Sequence, residues 1–210
     1  RDYRSTPQIV NYANRVLKAS PQRDDYLVLQ SGREQGPRVT QTVYASDTEE
    51  AQGVAMRIAK LASQGVSPSD CAILTRINAQ QQILCKALQE QHLRYRMRRD
   101  SGWQNSALAD DAQTRLAMLE ALGVGSDMNG VTISTIHASK GLEFKHVFLI
   151  GCSEGLLPYG SPQDGDQLEE ERRLLYVGVT RAEDTLHLSY ARSKDCLNDG
   201  RGRRVSRFLS

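Results

Sequence analysis

The chain has 210 residues, 39% hydrophobic and 25% charged, enough to enclose one well-formed core. Its net charge of +2 excludes a uniformly basic or acidic protein, yet the last 19 residues set Arg192, Lys194, Arg201, Arg203, Arg204 and Arg207 against only Asp195 and Asp199. The four cysteines, Cys71, Cys85, Cys152 and Cys196, form no Cys-x-x-Cys pair, which argues against a disulfide framework or zinc site and fits reduced thiols in a cytoplasmic protein; no apolar run is long enough to span a bilayer.

The chain opens on Arg1-Asp2-Tyr3-Arg4, without a signal-like segment, as if cut from a longer polypeptide. Thr6 reads as an N-cap and Pro7 as the first helical position of a helix carrying Ile9, Ala13, Val16 and Leu17 at helical spacing. A strand over Val39–Tyr44 precedes Asp47-x-x-Glu50, which resembles a capping box before Ala51, Val54, Ala55, Ile58 and Leu61. A short apolar strand, Cys71–Leu74, is followed by a helix from about Asn78 and an alternating strand on Leu93, Tyr95 and Met97. Asn105–Leu122 reads as another helix, Val131–Ile136 and Val147–Ile150 as strands, and Gly151–Asp166 as an exposed loop. A helix over Leu168–Val179, with Glu169, Glu170 and Glu171 in its first turn where the macrodipole favours acids, leads to the last strand, Leu186–Tyr190. This βαβα alternation predicts an α/β fold with a mainly parallel sheet covered by helices on both faces, and ligands beyond the carboxyl ends of the strands.

Several segments carry residue types suited to phosphates. Tyr3 offers a face that can stack on a base and Arg4 a guanidinium that can fork onto phosphate oxygens. Arg181 follows a helix whose Leu175, Tyr176 and Val179 look buried, so its head is expected to project from a rigid support. Glu143 follows Lys140-Gly141-Leu142, a turn in which its carboxylate can accept hydrogen bonds from hydroxyls. Arg76 and Asn78 at one strand end, and Thr135 and His137 at another, can donate to phosphates without reading sequence. No Gly-x-x-x-x-Gly-Lys-Ser/Thr loop occurs, so the chain reaches for phosphates without the cradle that would hold them. Half of a composite site is the simplest reading.

Three segments together are specific: Tyr3-Arg4-Ser5-Thr6, Thr135-Ile136-His137-Ala138-Ser139-Lys140-Gly141-Leu142-Glu143-Phe144, and Glu169 through Ala182 with Thr180-Arg181-Ala182 at its end. In this order they resemble motifs IV, V and VI of superfamily 1 DNA helicases of the UvrD, Rep and PcrA type. The whole chain is similar to the second RecA-like lobe of those proteins, domain 2A, which lacks its own phosphate loop. The resemblance implies a motor lobe over residues 1–191, with about 99–130 standing where relatives carry the large 2B insertion, and a basic tail over 192–210. It implies ATP as the ligand of Tyr3, Arg4, Glu143 and Arg181. Tyr3 would stack on adenine, Arg4 and Arg181 would meet the γ-phosphate catalytically, and Glu143 would hold the ribose. Mg2+ would be held mainly by the first lobe, and no residue of this chain is implied as a metal ligand. Single-stranded DNA, or DNA with a single-stranded tail, would meet Arg76, Asn78, Thr135 and His137. The partner would be the N-terminal helicase lobe of the same polypeptide, with no membrane involved.

One position departs from that pattern. Glu154-Gly155-Leu156-Leu157-Pro158 has Leu157 where many relatives place an aromatic that stacks on a DNA base, with Tyr159 two residues on. Two other readings are open on the residues alone: a catalytically inactive interaction or nucleic-acid-binding module that keeps this fold, and a lobe of a helicase-nuclease of the RecB or AddA type.

Overall fold

The computed structural model describes residues 4–99, 102–103, 130–162, 164–193 and 203–209. Tyr3, the expected helix over Asn105–Leu122 and most of the basic tail lie outside them.

Among the described residues, α1 (Pro7–Lys18), β1 (Thr40–Ser46), α2 (Asp47–Ser63), β2 (Cys71–Thr75), α3 (Gln81–Glu90), β3 (Tyr95–Arg99), β4 (Gly102–Trp103), β5 (Val131–Thr135), β6 (Phe144–Leu149), α4 (Gly165–Val179) and β7 (Ala182–Ser193) follow one another. The seven strands form one sheet in the order β1-β7-β6-β2-β5-β3-β4. All neighbours pair parallel except β4, which runs antiparallel to β3. This is the expected RecA-like α/β arrangement.

The two faces of the sheet have separate cores. Ala72 and Leu74 of β2, with Val147, Leu149, Leu186 and Leu188, pack under α1 and α4. Cys71 and Ile73 of the same strand, with Val131, Ile133 and Phe148, pack under α2 and α3. Every residue of β2 and β5 is buried, which explains why these strands read as short apolar runs; a central parallel strand has no solvent face. Cys71, Cys85 and Cys152 are buried.

The chain leaves β2 for β3 through α3 on one face, and β6 for β7 through α4 on the other, so the sheet reverses direction between the adjacent strands β6 and β2. Ligands of open α/β sheets favour the carboxyl side of such a reversal. Here that crevice is lined by Glu50, Ile77, Gln80, Ile150, Gly151 and Arg203. Gly151, at φ +68°, turns the chain out of β6, and a Cβ there would meet Gln80 Nε2 at 2.2 Å.

Several local expectations change. The N-cap of α2 is Ser46, whose hydroxyl accepts from the Glu49 N–H at 3.1 Å; Asp47 and Glu50 form no capping box, and Glu50 turns inward to 3% exposure. Asn78–Gln80 is a separate 3-10 turn before α3. Helix α4 begins earlier, at Gly165, capped by Asp164 through the Gln167 N–H at 2.7 Å. Glu169 and Glu171 thus lie beyond its first turn and are buried in specific contacts, leaving Asp166 as the first-turn acid. For Glu50, Glu169 and Glu171 the cause is shared: a local preference for caps and first turns yields to a distant partner for the carboxylate.

Candidate nucleotide and nucleic-acid interfaces

Of the predicted nucleotide contacts, Arg4, Glu143 and Arg181 come together, but at the amino end of the sheet. Glu143 is the residue entering β6 and Arg181 the residue entering β7. Their segments run side by side because the Phe144 N–H donates to the Arg181 carbonyl at 2.9 Å. The N-terminal segment joins them through Thr6 N–H to Glu183 O at 3.0 Å and Ser5 Oγ to Ala182 O at 2.6 Å. Arg4 then forms an ion pair with Glu143. Three stretches far apart in sequence so converge on one small surface. The expectation of a site beyond the carboxyl strand ends is corrected for this group: the residues sit where β6 and β7 begin, because Gly141, at φ +82°, turns the chain into Glu143 just ahead of β6.

Arg181 does not simply project from α4. Its Nε donates to Val177 O at 3.1 Å, its Nη1 to Leu142 O at 3.1 Å and its Nη2 to Thr180 Oγ1 at 3.3 Å. The guanidinium is laid across the last turn of α4 toward the backbone next to Glu143. Held that way, it loses little rotamer freedom when it meets an anion. Chemically the cluster sets two guanidinium groups beside one carboxylate, with Arg4 more than half exposed, an arrangement that can receive a polyphosphate and a hydroxyl-bearing neighbour.

The residues expected to contact nucleic acid lie at the carboxyl ends of β2 and β5. Arg76 and His137 share the wall of a groove of about 370 Å³ with Lys140, Glu170, Arg173 and Val177. Asn78 is exposed on its 3-10 turn and Thr135 is buried; neither lines that groove. Thr135 Oγ1 accepts the Ala138 N–H at 3.2 Å, so its hydroxyl shapes the turn that presents His137. Arg98 Nε supports the same turn through Ala138 O at 2.7 Å.

Arg76 is engaged. Its Nε and Nη2 donate to the two oxygens of Glu171 at 2.6–3.2 Å, a fork buried to 17% and 11% side-chain exposure. Glu171 Oε2 also accepts the Tyr159 N–H at 3.0 Å, and the Arg76 guanidinium lies 5.1 Å from the centre of the Tyr159 ring. Leu157 is fully buried, whereas Tyr159 is half exposed. Of these two, only Tyr159 presents a face to solvent.

Sequence reasoning missed Glu50. It accepts Ser189 Oγ at 2.7 Å and the Gly151 N–H at 3.3 Å. Burial pushes its carboxyl up to about 7, against those two hydrogen bonds. Nothing local announces this, since an acid in a helix's first turns is usually a surface charge answering the macrodipole. The segment near the C-terminus returns to the same region: Arg207 forks onto Glu154, with Nη2 at 2.9 Å, and the Phe208 ring lies 4.9 Å below the Arg172 guanidinium.

Residues 1–102 and 111–193 match the UvrD-like helicase C-terminal domain family. The chain is 33% identical to ATP-dependent DNA helicase UvrD2 of Mycobacterium tuberculosis over 285 aligned residues, covering all of this chain and 40% of that protein. It is 41% identical to ATP-dependent DNA helicase Rep of Salmonella typhimurium over 44% of this chain and 14% of that one, and 37% identical to PcrA of Staphylococcus aureus over 46% and 14%. The chain thus spans well under half the length of these relatives. The solved C-terminal domain of a possible DNA helicase from Lactobacillus plantarum superposes with a TM-score of 0.61 at 21% identity, covering all of this chain and 93% of that one, which supports the fold. With both stretches matched across nearly its whole length, the chain belongs to the UvrD-like helicase C-terminal domain family.

Proposed function

We propose that this chain is the second motor lobe of an ATP-dependent DNA helicase, supplying catalytic and binding residues to an ATP site shared with a first lobe. The observation that carries this reading is the convergence of Arg4, Glu143 and Arg181 at one end of the sheet. Arg181 acts as an arginine finger, stabilising charge on the γ-phosphoryl group as it transfers, an effect of about 10³-fold or more in such enzymes. Arg4 meets the same phosphate, leaving Glu143 for the ribose hydroxyls. Tyr3 stacks on the base. Among the described residues no group of His, Cys, Asp or Glu is arranged to hold a metal, and we assign the accompanying Mg2+ to the other lobe.

Single-stranded DNA passes along the groove lined by Arg76, His137, Lys140 and Arg173, near Asn78 and Thr135, with Tyr159 offering its face to a base. Strands of five or six residues separate the two sites, about 17–20 Å at the usual rise. One rigid sheet spans that gap, so closure of the lobes on ATP carries the DNA groove with it, and repeated cycles drive translocation in the 3′-to-5′ direction. The test is DNA-stimulated phosphate release by this chain, by the rest of its parent polypeptide, and by the two combined. Activity is expected only in the mixture, falling about 10³-fold in Arg181→Ala. Tyr159→Ala is expected to weaken single-strand binding by about 1–3 kcal/mol. Undiminished hydrolysis in Arg181→Ala sinks the finger assignment, and unchanged binding in Tyr159→Ala sinks the stacking one.

A further inference from the structure

We infer that Arg33 is a positioning residue for the nucleotide-facing cluster, setting Arg4 in register with Arg181; this rests on the reading of that cluster given above. Arg33 lies in the connection between α1 and β1, in none of the segments that carry the family resemblance. Its Nη1 donates to the Arg4 carbonyl at 2.8 Å, to the Glu183 carbonyl at 3.0 Å and to Asp184 Oδ1 at 2.7 Å. One nitrogen therefore touches the backbone of the residue that would meet the γ-phosphate from one segment, and the backbone two residues beyond Arg181 from another. A guanidinium NH2 has two hydrogens, so three acceptors at these distances share them, which leaves little freedom to slide.

The connection holding Arg33 is itself fastened. Ser31 Oγ donates to Ser5 O at 2.6 Å and accepts the Arg33 N–H at 3.1 Å. The side-chain amide of Asn14 brackets Leu29, accepting its N–H at 3.0 Å and donating to its carbonyl at 2.9 Å. The contacts of Arg33 are directed at main chain and at Asp184, with no part in the Arg4–Glu143 pair. It thus acts through Arg4, by fixing where that side chain starts. Misplacement of a catalytic group by about an ångström costs on the order of 100-fold in rate.

The experiment is a kinetic double-mutant cycle on the parent polypeptide with both lobes, measuring kcat and KM for ATP with saturating single-stranded DNA. Arg33→Ala is expected to lower kcat about 10- to 100-fold, and to add no further loss in an Arg4→Ala background, because the two act on one contact. Arg33→Lys, whose ammonium has three donors for the three acceptors, is expected to recover most of the rate; it also serves if the alanine variant fails to fold. A kcat within twofold of the unsubstituted parent in Arg33→Ala, or losses that multiply in the double variant, overturns the proposal. Absence of DNA-stimulated hydrolysis in the unsubstituted parent overturns the nucleotide reading itself, so the two failures are told apart.

Discussion

The two ends of the sheet hold their arginines in opposite ways. At the amino end, the Arg4–Glu143 pair is more than half exposed on the arginine side and a third exposed on the carboxylate side, on segments stitched together by backbone hydrogen bonds. At the carboxyl end, the Arg76–Glu171 fork is largely buried and also holds the Tyr159 backbone. An exposed pair is worth about 0–1 kcal/mol, so an incoming phosphate can replace Glu143 at little cost. A buried pair that loses one member leaves an uncompensated charge, at about 3–5 kcal/mol. The same kind of side chain thus sits in a replaceable surface pair at one end and in a buried anchor at the other, and the difference lies in burial. On the proposed reading of the groove, Arg76 would then serve chiefly by supporting the Tyr159 ring.

The sharpest way to break this contrast is at the anchor. Glu171→Ala is expected to destabilise the chain by about 3 kcal/mol, read from urea unfolding at neutral pH. A loss below about 1 kcal/mol would show Arg76 behaving like a surface group, and the two ends would no longer differ.

Glu50, buried at the same carboxyl end, gives an effect of similar size that depends on pH. Its carboxyl titrates near 7 when folded, against 4.5 when unfolded. Between those values the folded chain holds a proton that the unfolded chain has lost. Stability therefore falls as pH rises from about 4.5 to about 7, by about 3 kcal/mol in all, and levels off above. Glu50→Gln is expected to flatten that slope. A parallel decline in the variant would assign the titration to another group.

The smallest effect is expected at the amino end. Arg4→Ala should change unfolding stability by less than about 1 kcal/mol. A larger loss would mean that the Arg4–Glu143 pair holds the fold together as the carboxyl-end fork does.

Much of the fold was legible in advance. Six strands and three of the described helices fall within a few residues of where periodicity and punctuation place them, because central parallel strands and amphipathic helices write their burial into local pattern. The third helix, α3, was legible in type and late by three residues in its start, since the 3-10 turn at Asn78–Gln80 has no separate signal. Candidates for the nucleotide-facing residues can be named from the sequence as well. Their surroundings are not legible there: Arg181, predicted to reach outward, lies along α4 and Leu142, and the capping box predicted from Asp47 and Glu50 does not form.

What the sequence determined by itself was the alternation of strands and helices, the absence of a phosphate loop, and which arginines and carboxylates are candidates for phosphate chemistry. Each of these depends on residue type or on spacing within one element. Only the tertiary structure decided that Arg4 meets Glu143, that Arg76 is spoken for by Glu171, that Leu157 is buried while Tyr159 faces out, and that Arg33 clasps two distant segments. Those outcomes follow from strand order. Placing β7 beside β6 brings residues 143 and 181 into register, and no local periodicity encodes which strands become neighbours.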